Sequence, residues 1–278
     1  MKKAGILKLT TGLIIIWSLL PVYWGLRTSL LPESELMVNP LKYLPWPLSW
    51  ENYQNLLGFG ARGGDVWEAF QKAFANSIVT SLESTLLVLV LSIVSGYAFS
   101  RFTFKGKTLI LALILATMAL PIYSVIIPLY SIIIKMGLLD SCLGISLIYA
   151  AAFVPLGVWL MKVAFDAIPV ELEEAAMVDG ASRIRTLLLV LPLASPGMVA
   201  TAALTFLSAW SQFVIPMILA PQNAKPLTVL ITQFVGRSSI DYGLMSAAGS
   251  IAILPPLLLV ILLSRYLVNG LVQGAMKS

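Results

Sequence analysis

Six long apolar runs separated by polar punctuation organise the chain. They cover about residues 9–31, 74–99, 108–134, 142–165, 194–220 and 244–268, and each offers the roughly 20 residues a helix needs to cross a hydrocarbon core of about 30 Å. Pro121, Pro128, Pro155 and Pro216 fall inside these runs. In a soluble protein they would argue against helices, whereas in a membrane neighbouring groups can re-satisfy the freed carbonyls. The pattern therefore predicts kinked spanning helices in one all-α bundle. Lys2, Lys3 and Lys8 precede "LIIIWSLL" as in a signal peptide, but the apolar run continues through Trp24 and Leu31 without a small-residue cleavage site. A retained helix is expected.

Composition strengthens this reading. Of 278 residues, 59% are hydrophobic and 11% charged, against roughly 45–50% and about 25% in ordinary soluble domains. The apolar surplus must face something other than water, and the lipid bilayer is the available solvent. One cysteine and no histidine remove the commonest metal ligand and acid–base group, so no catalytic residue, metal or cofactor is expected on this chain. The 18 Lys and Arg residues give a net charge of +5 but are scattered, which suits topology signals better than nucleic-acid binding.

With the N-terminus inside, the inner segments hold Lys2, Lys3, Lys8, Arg101, Lys105, Lys107, Lys162, Arg183, Arg185, Arg265 and Lys277. The longer outer segments hold the remaining seven, and the positive-inside rule favours this arrangement. Two outer segments, about 32–73 and about 221–243, exceed simple turns and carry Pro, Trp and Tyr suited to an interfacial surface. Without a soluble linker or a strong internal repeat, a single transmembrane domain over 1–278 is expected.

The same topology puts residues 166–190 on the cytoplasmic side, so the acids of "EEAAMVDGAS" (173–182) are expected in water. Local grammar predicts a helix over about 169–179: Pro169 suits a first turn, Glu171, Glu173 and Glu174 suit the positive end of the dipole, and Gly180 suits a left-handed stop. Leu172, Ala175, Ala176 and Asp179 then share one face, with Glu173 and Met177 pointing elsewhere. Two readings are open: that small apolar face docks onto a partner, or the helix lies on the membrane surface, where larger apolar residues and basic neighbours are expected.

"EEAAMVDGASRIRTLLLVLPLASP" resembles the EAA loop of ATP-binding-cassette (ABC) importer permeases. "LPWPLSWENY", "GYAFSRFTFKGK", "IPLYSIIIKMGLLDS", "IPVELEEAAMVDGAS" and "LVNGLVQGAMKS" are similar to the carbohydrate-uptake branch, particularly the second permease subunit of maltose-type systems. Two departures stand out: Gly180 to Pro192 is one residue shorter than that pattern, and "WSQF" (210–213) replaces the frequent Trp-Asn-Glu-Phe. The resemblance implies a six-helix type I ABC importer transmembrane domain with a cytoplasmic coupling helix. It further implies that Leu172, Glu174, Ala175, Ala176, Asp179, Gly180 and Ala181 couple to an ATPase. The implied partners are a second, different permease subunit, two ATP-binding subunits carrying ATP and magnesium, an extracytoplasmic solute-binding protein and a sugar. The implied location is a bacterial or archaeal cytoplasmic membrane, with both termini cytoplasmic.

Rival functions find little in the chain. "GKT" at 106–108 imitates the end of a phosphate-binding loop, but the required first glycine is Arg101 and the preceding segment is a membrane helix. An intramembrane hydrolase would need a metal, serine or paired-aspartate motif that is missing. A channel or scaffold would leave the docking helix without a role. Within the implied import function, a polyol phosphate is the alternative solute. For the pathway, Glu83 is the one clear acid within a span; Tyr123, Trp210 and Gln212 add an aromatic face or donors and acceptors that a sugar requires.

Overall fold

The computed structural model describes residues 2–36, 42–61, 63–235 and 241–263, with backbone alone at 2–5, 122 and 123. The C-terminal segment "LVNGLVQGAMKS", which includes Lys277, and Arg265 lie outside the described residues. Within those residues every regular element is helical: α1 (Lys2–Ser29), α2 (Glu33–Leu36), α3 (Glu51–Leu56), α4 (Gly63–Arg101), α5 (Lys107–Ala116), α6 (Ile126–Lys135), α7 (Cys142–Asp166), α8 (Glu171–Val178), α9 (Arg183–Val190), α10 (Ser195–Trp210), α11 (Val214–Leu219), α12 (Leu227–Gln233) and α13 (Tyr242–Ala252), which continues as helix over 254–263 after a turn at residue 253.

Among the described residues, four helices are long and apolar enough to cross a membrane: Ile6–Ser29, Gly63–Arg101, Cys142–Asp166 and Tyr242–Leu263. A fifth candidate is the pair α9 and α10, bent by 78°. The run at 108–134 is divided: α5 ends in a short 3₁₀ turn, Leu120 turns extended at ψ 124°, and a second 3₁₀ turn leads into α6. Pro121 accounts for the extended residue, because its ring disfavours the helical region for the residue before it. Pro128 and Pro216 lie in the first turns of α6 and α11, where a missing N–H costs nothing. Of the four prolines expected to kink helices, Pro155 of α7 alone sits in a helix interior. The run at 194–220 is likewise split, at Ser211–Phe213, into α10 and α11.

The chain forms two compact units. In the first, which takes in Met1–Ala75 and Pro226–Pro255, α1 and α3 pack against α13. The Asn52 amide of α3 is buried and donates to the carbonyls of Ser29 and Leu31 at 3.1 and 2.9 Å. Glu33 accepts from the Gly243 N–H at 3.2 Å, and Asp241 caps α13 by accepting from the Leu244 N–H at 2.9 Å.

The second unit takes in Asn76–Lys225 and Pro256–Ser278. Here small residues let helices approach closely, the usual device where lipid is as apolar as the side chains. A Cβ added at Gly157 of α7 would stand 2.3 Å from the Ser92 Oγ of α4. One apolar cluster gathers Ile133, Ile145, Ile148, Tyr149, Ile215 and Leu219; a second gathers Tyr97, Met161, Phe165, Ile168, Val190 and Ala194. The second cluster includes Ile168 and Val190, from the two ends of the 166–190 segment.

Candidate coupling site and polar residues of the spans

The acidic loop folds into α8, whose first turn carries Glu171, Glu173 and Glu174, a favourable placement at the positive end of the helix dipole. Pro169 precedes the N-cap Val170 instead of entering the first turn, so the helix starts two residues later than expected. Its end is a Schellman stop: the Ala181 N–H donates to the Ala176 carbonyl at 2.9 Å and the Gly180 N–H to the Met177 carbonyl at 3.0 Å. Gly180 has φ +86°, the left-handed conformation its missing Cβ permits. Ser182 then caps α9 by accepting from the Arg185 N–H at 3.4 Å.

Glu173 departs from the expectation that these acids lie in water. It is 3% exposed and is the one buried residue of α8. One carboxylate oxygen accepts from the Arg101 Nε at 2.6 Å, the other from the Tyr97 hydroxyl at 2.8 Å. The remaining guanidinium nitrogens of Arg101 donate to the Ile168 carbonyl at 2.9 Å and the Ser100 hydroxyl at 3.0 Å, and Ser100 donates on to Asp166 at 2.6 Å. Tyr97 is set edge-on between Phe102 and Phe165, at ring centroid distances of 6.1 and 5.3 Å. Glu173 is buried because its partner lies outside the loop, on α4: removing one member of such a buried pair typically costs about 3–5 kcal/mol.

This anchor sets the rotation of α8. Leu172, Glu174, Ala175 and Asp179 are exposed, Gly180 is exposed too, and Ala176 and Ala181 are half-buried. The outward face is therefore centred away from Ala176, which lies next to Glu173 on the helical wheel, and takes in Val178 at 87% exposure. Sequence reasoning missed Val178, and also Ile184, 74% exposed at the start of α9. Met177, expected to point away from the docking face, is exposed as well.

The pathway candidates have separate surroundings. Glu83 is half-buried and accepts from the Ser146 hydroxyl at 2.9 Å. Trp210 is 7% exposed and stacks on Phe206, with centroids 5.8 Å apart and planes 15° apart. Gln212 is half-buried at the end of α10, its N–H donating to the Ala209 carbonyl at 3.2 Å. The backbone of Tyr123 lies in the 3₁₀ turn before α6, and its side chain lies outside the described residues.

A further polar constellation went unread in the sequence. Asp140 has φ +55°, and its carboxylate accepts from three successive backbone N–H groups, those of Gln222, Asn223 and Ala224, and from the Asn223 amide. Asn76 of α4 donates to the carbonyls of Asn223 and Lys225 at 2.8 and 3.0 Å. Burial would raise the Asp140 pKa, but the hydrogen bonds from Asn223, Ala224 and Gln222 outweigh it and hold the carboxyl below its ordinary value. The signal available was "LLDS", since Asp is among the few non-glycine residues tolerant of left-handed backbone.

Residues 88–273 match the family of binding-protein-dependent transport system inner membrane components, and the chain belongs to it. It is 34% identical over 269 residues to a trehalose transport system permease protein of Mycobacterium tuberculosis, covering 95% of this chain and 94% of that one. With a trehalose/maltose transport system permease protein of Thermococcus litoralis the identity is 32% over 268 residues, again with 95% and 94% covered. A sulfoquinovosyl glycerol transport system permease protein of Agrobacterium fabrum is 30% identical over 271 residues, covering 97% and 92%. In fold the chain is similar to a solved structure of a bacterial ABC transporter involved in the import of the acidic polysaccharide alginate, at a TM-score of 0.81 and 22% identity over 96% of this chain and 97% of that one. The family and the all-α importer fold expected from the loop motif both hold.

Proposed function

We propose that the chain is the pore-forming permease subunit of an ATP-driven sugar importer in a bacterial or archaeal cytoplasmic membrane. It pairs with a second permease subunit, two ATP-binding subunits and an extracytoplasmic solute-binding protein; ATP and magnesium bind the partner ATPases. Relatives named for trehalose, maltose and a sulfoquinovosyl glycerol support a sugar or sugar glycoside as solute. The observation that carries the ATPase reading is the outward face of α8, where Leu172, Ala175 and Val178 meet solvent beside Glu174 and Asp179. Medium-sized apolar side chains on a helix anchored from behind suit a groove in another protein. A rigid ATPase movement would then tilt the loop and reorient the spans.

The test is co-purification of the chain with its ATP-binding subunits, followed by ATP-dependent trehalose uptake in proteoliposomes supplied with the binding protein. ATP-dependent uptake of trehalose, maltose or a related glycoside supports the reading. A complex lacking an ATPase, or uptake without ATP, overturns it.

A further inference from the structure

We infer that Glu173, through Arg101, is the positioning residue that makes α8 and the end of α4 one mechanical element, so that displacement of the loop helix is passed to α4. The inference rests on the ATPase-coupling reading above. Chain connectivity joins α8 only to its neighbours α7 and α9, whereas Arg101 lies 72 positions from Glu173. What bridges that separation is one carboxylate held at both oxygens by residues a helical turn apart on α4, Tyr97 and Arg101.

The arrangement is directional as well as strong. A guanidinium is a planar fork, so binding Glu173 through Nε and the Ile168 carbonyl through Nη2 fixes α8 and the linker before it against the same α4 residue. Ser100 extends the grip to Asp166, the last residue of α7. Because Glu173 is the one buried side chain of α8, no apolar contact of comparable burial substitutes for it in orienting the helix. Buried ion pairs seldom out-stabilise well-packed apolar replacements; what this pair adds is a defined orientation. Arg183, over the Phe102 ring at 5.1 Å, places the start of α9 against the same end of the α4 segment.

ATP hydrolysis and trehalose uptake are measured in the same proteoliposomes, with the complete complex, for Glu173→Gln, Arg101→Lys, and Arg101→Cys with Glu173→Cys in a Cys142→Ser background. Glu173→Gln and Arg101→Lys should retain the ATPase and its hydrolysis but transport at least fivefold less solute per ATP. The double-cysteine protein should behave likewise, regain uptake per ATP when bridged by a short reducible bifunctional thiol reagent, and lose it again on reduction. Variants that form less complex yet transport the wild-type amount of solute per ATP would show a merely structural role and overturn the inference. If Glu173→Gln does not assemble, the double-cysteine protein decides: bridging that restores yield but not uptake per ATP counts equally against it. Failure of the coupling reading itself shows separately, as an ATPase still bound and fully coupled when Val178 is replaced by Arg.

Discussion

Asp140 and Asn223, 83 positions apart, are joined through both the backbone N–H and the side-chain amide of Asn223, at 2.8 to 3.0 Å. With the N–H groups of Gln222 and Ala224 added, a single carboxylate organises the turn after α11. The backbone N–H of Asp140 closes the link by donating to the Leu219 carbonyl at 2.9 Å.

Replacing Asp140 with Ala should lower stability in detergent by about 1–2 kcal/mol, because charge-assisted bonds are lost while solvent can reach part of the site. Asp140→Asn should cost less, as it keeps an acceptor and tolerates the positive φ. The native pKa lies below the ordinary value of 3.8, so the carboxylate's contribution is full above that value and disappears as pH falls through the lower native one. Thermal unfolding across acidic pH should show the wild type converging on Asp140→Asn; a constant difference between them would refute the charge-based account.

Val178→Arg should strip the ATP-binding subunits from the purified complex, with at least tenfold weaker association. The residue stands at 87% exposure on the outward face, so the monomer tolerates arginine, whereas a protein groove would have to bury an unpaired cation. Lys105→Ala, at an exposed position in the turn before α5, is the control and should assemble normally. Equal assembly of the two variants would remove the outward face of α8 as the docking surface.

Gly180→Val should impair coupling through the backbone alone. A Cβ there meets open space, yet φ is +86°, a region that costs an ordinary residue about 1–2 kcal/mol and a β-branched one more. Gly180→Asn should retain most activity, since Asn accepts the left-handed region. If Asn and Val variants take up sugar equally, the helix stop is not under the constraint inferred.

How much of this was legible depended on distance along the chain. Glu171, Glu173 and Glu174 at the start of a helix and Gly180 at its stop are local signals, and they located α8 to within two residues. Glu173's burial was not legible, because its partner sits 72 positions away on α4 and an acid in a loop reads as solvated. Asp140 failed for the same reason. The division of 108–134 was hidden differently: Ile, Leu and Ala look alike in one helix or two, and Pro121 is compatible with either a kink or a break. Nor did spacing reveal the 78° bend between α9 and α10, which the turn at Leu191–Ala194 around Pro192 makes.

The orientation drawn from the Lys and Arg distribution is open to direct labelling. Phe59 is 85% exposed in the long segment between the first two apolar runs, and Val178 is similarly exposed on α8. Phe59 is preferable to its neighbour Gly60, where an added Cβ would fall 2.1 Å from the Asn55 side-chain oxygen. In a Cys142→Ser background, which removes the one native thiol, Phe59→Cys in intact cells should react with a membrane-impermeant thiol reagent. Val178→Cys should react only after the membrane is opened, and, if the ATPase covers α8, faster in the permease alone than in the assembled complex. Reversed labelling would overturn the cytoplasmic placement of the loop and with it the ATPase-coupling reading. Labelling of both sites from outside would instead mean that an odd number of spans does not separate them.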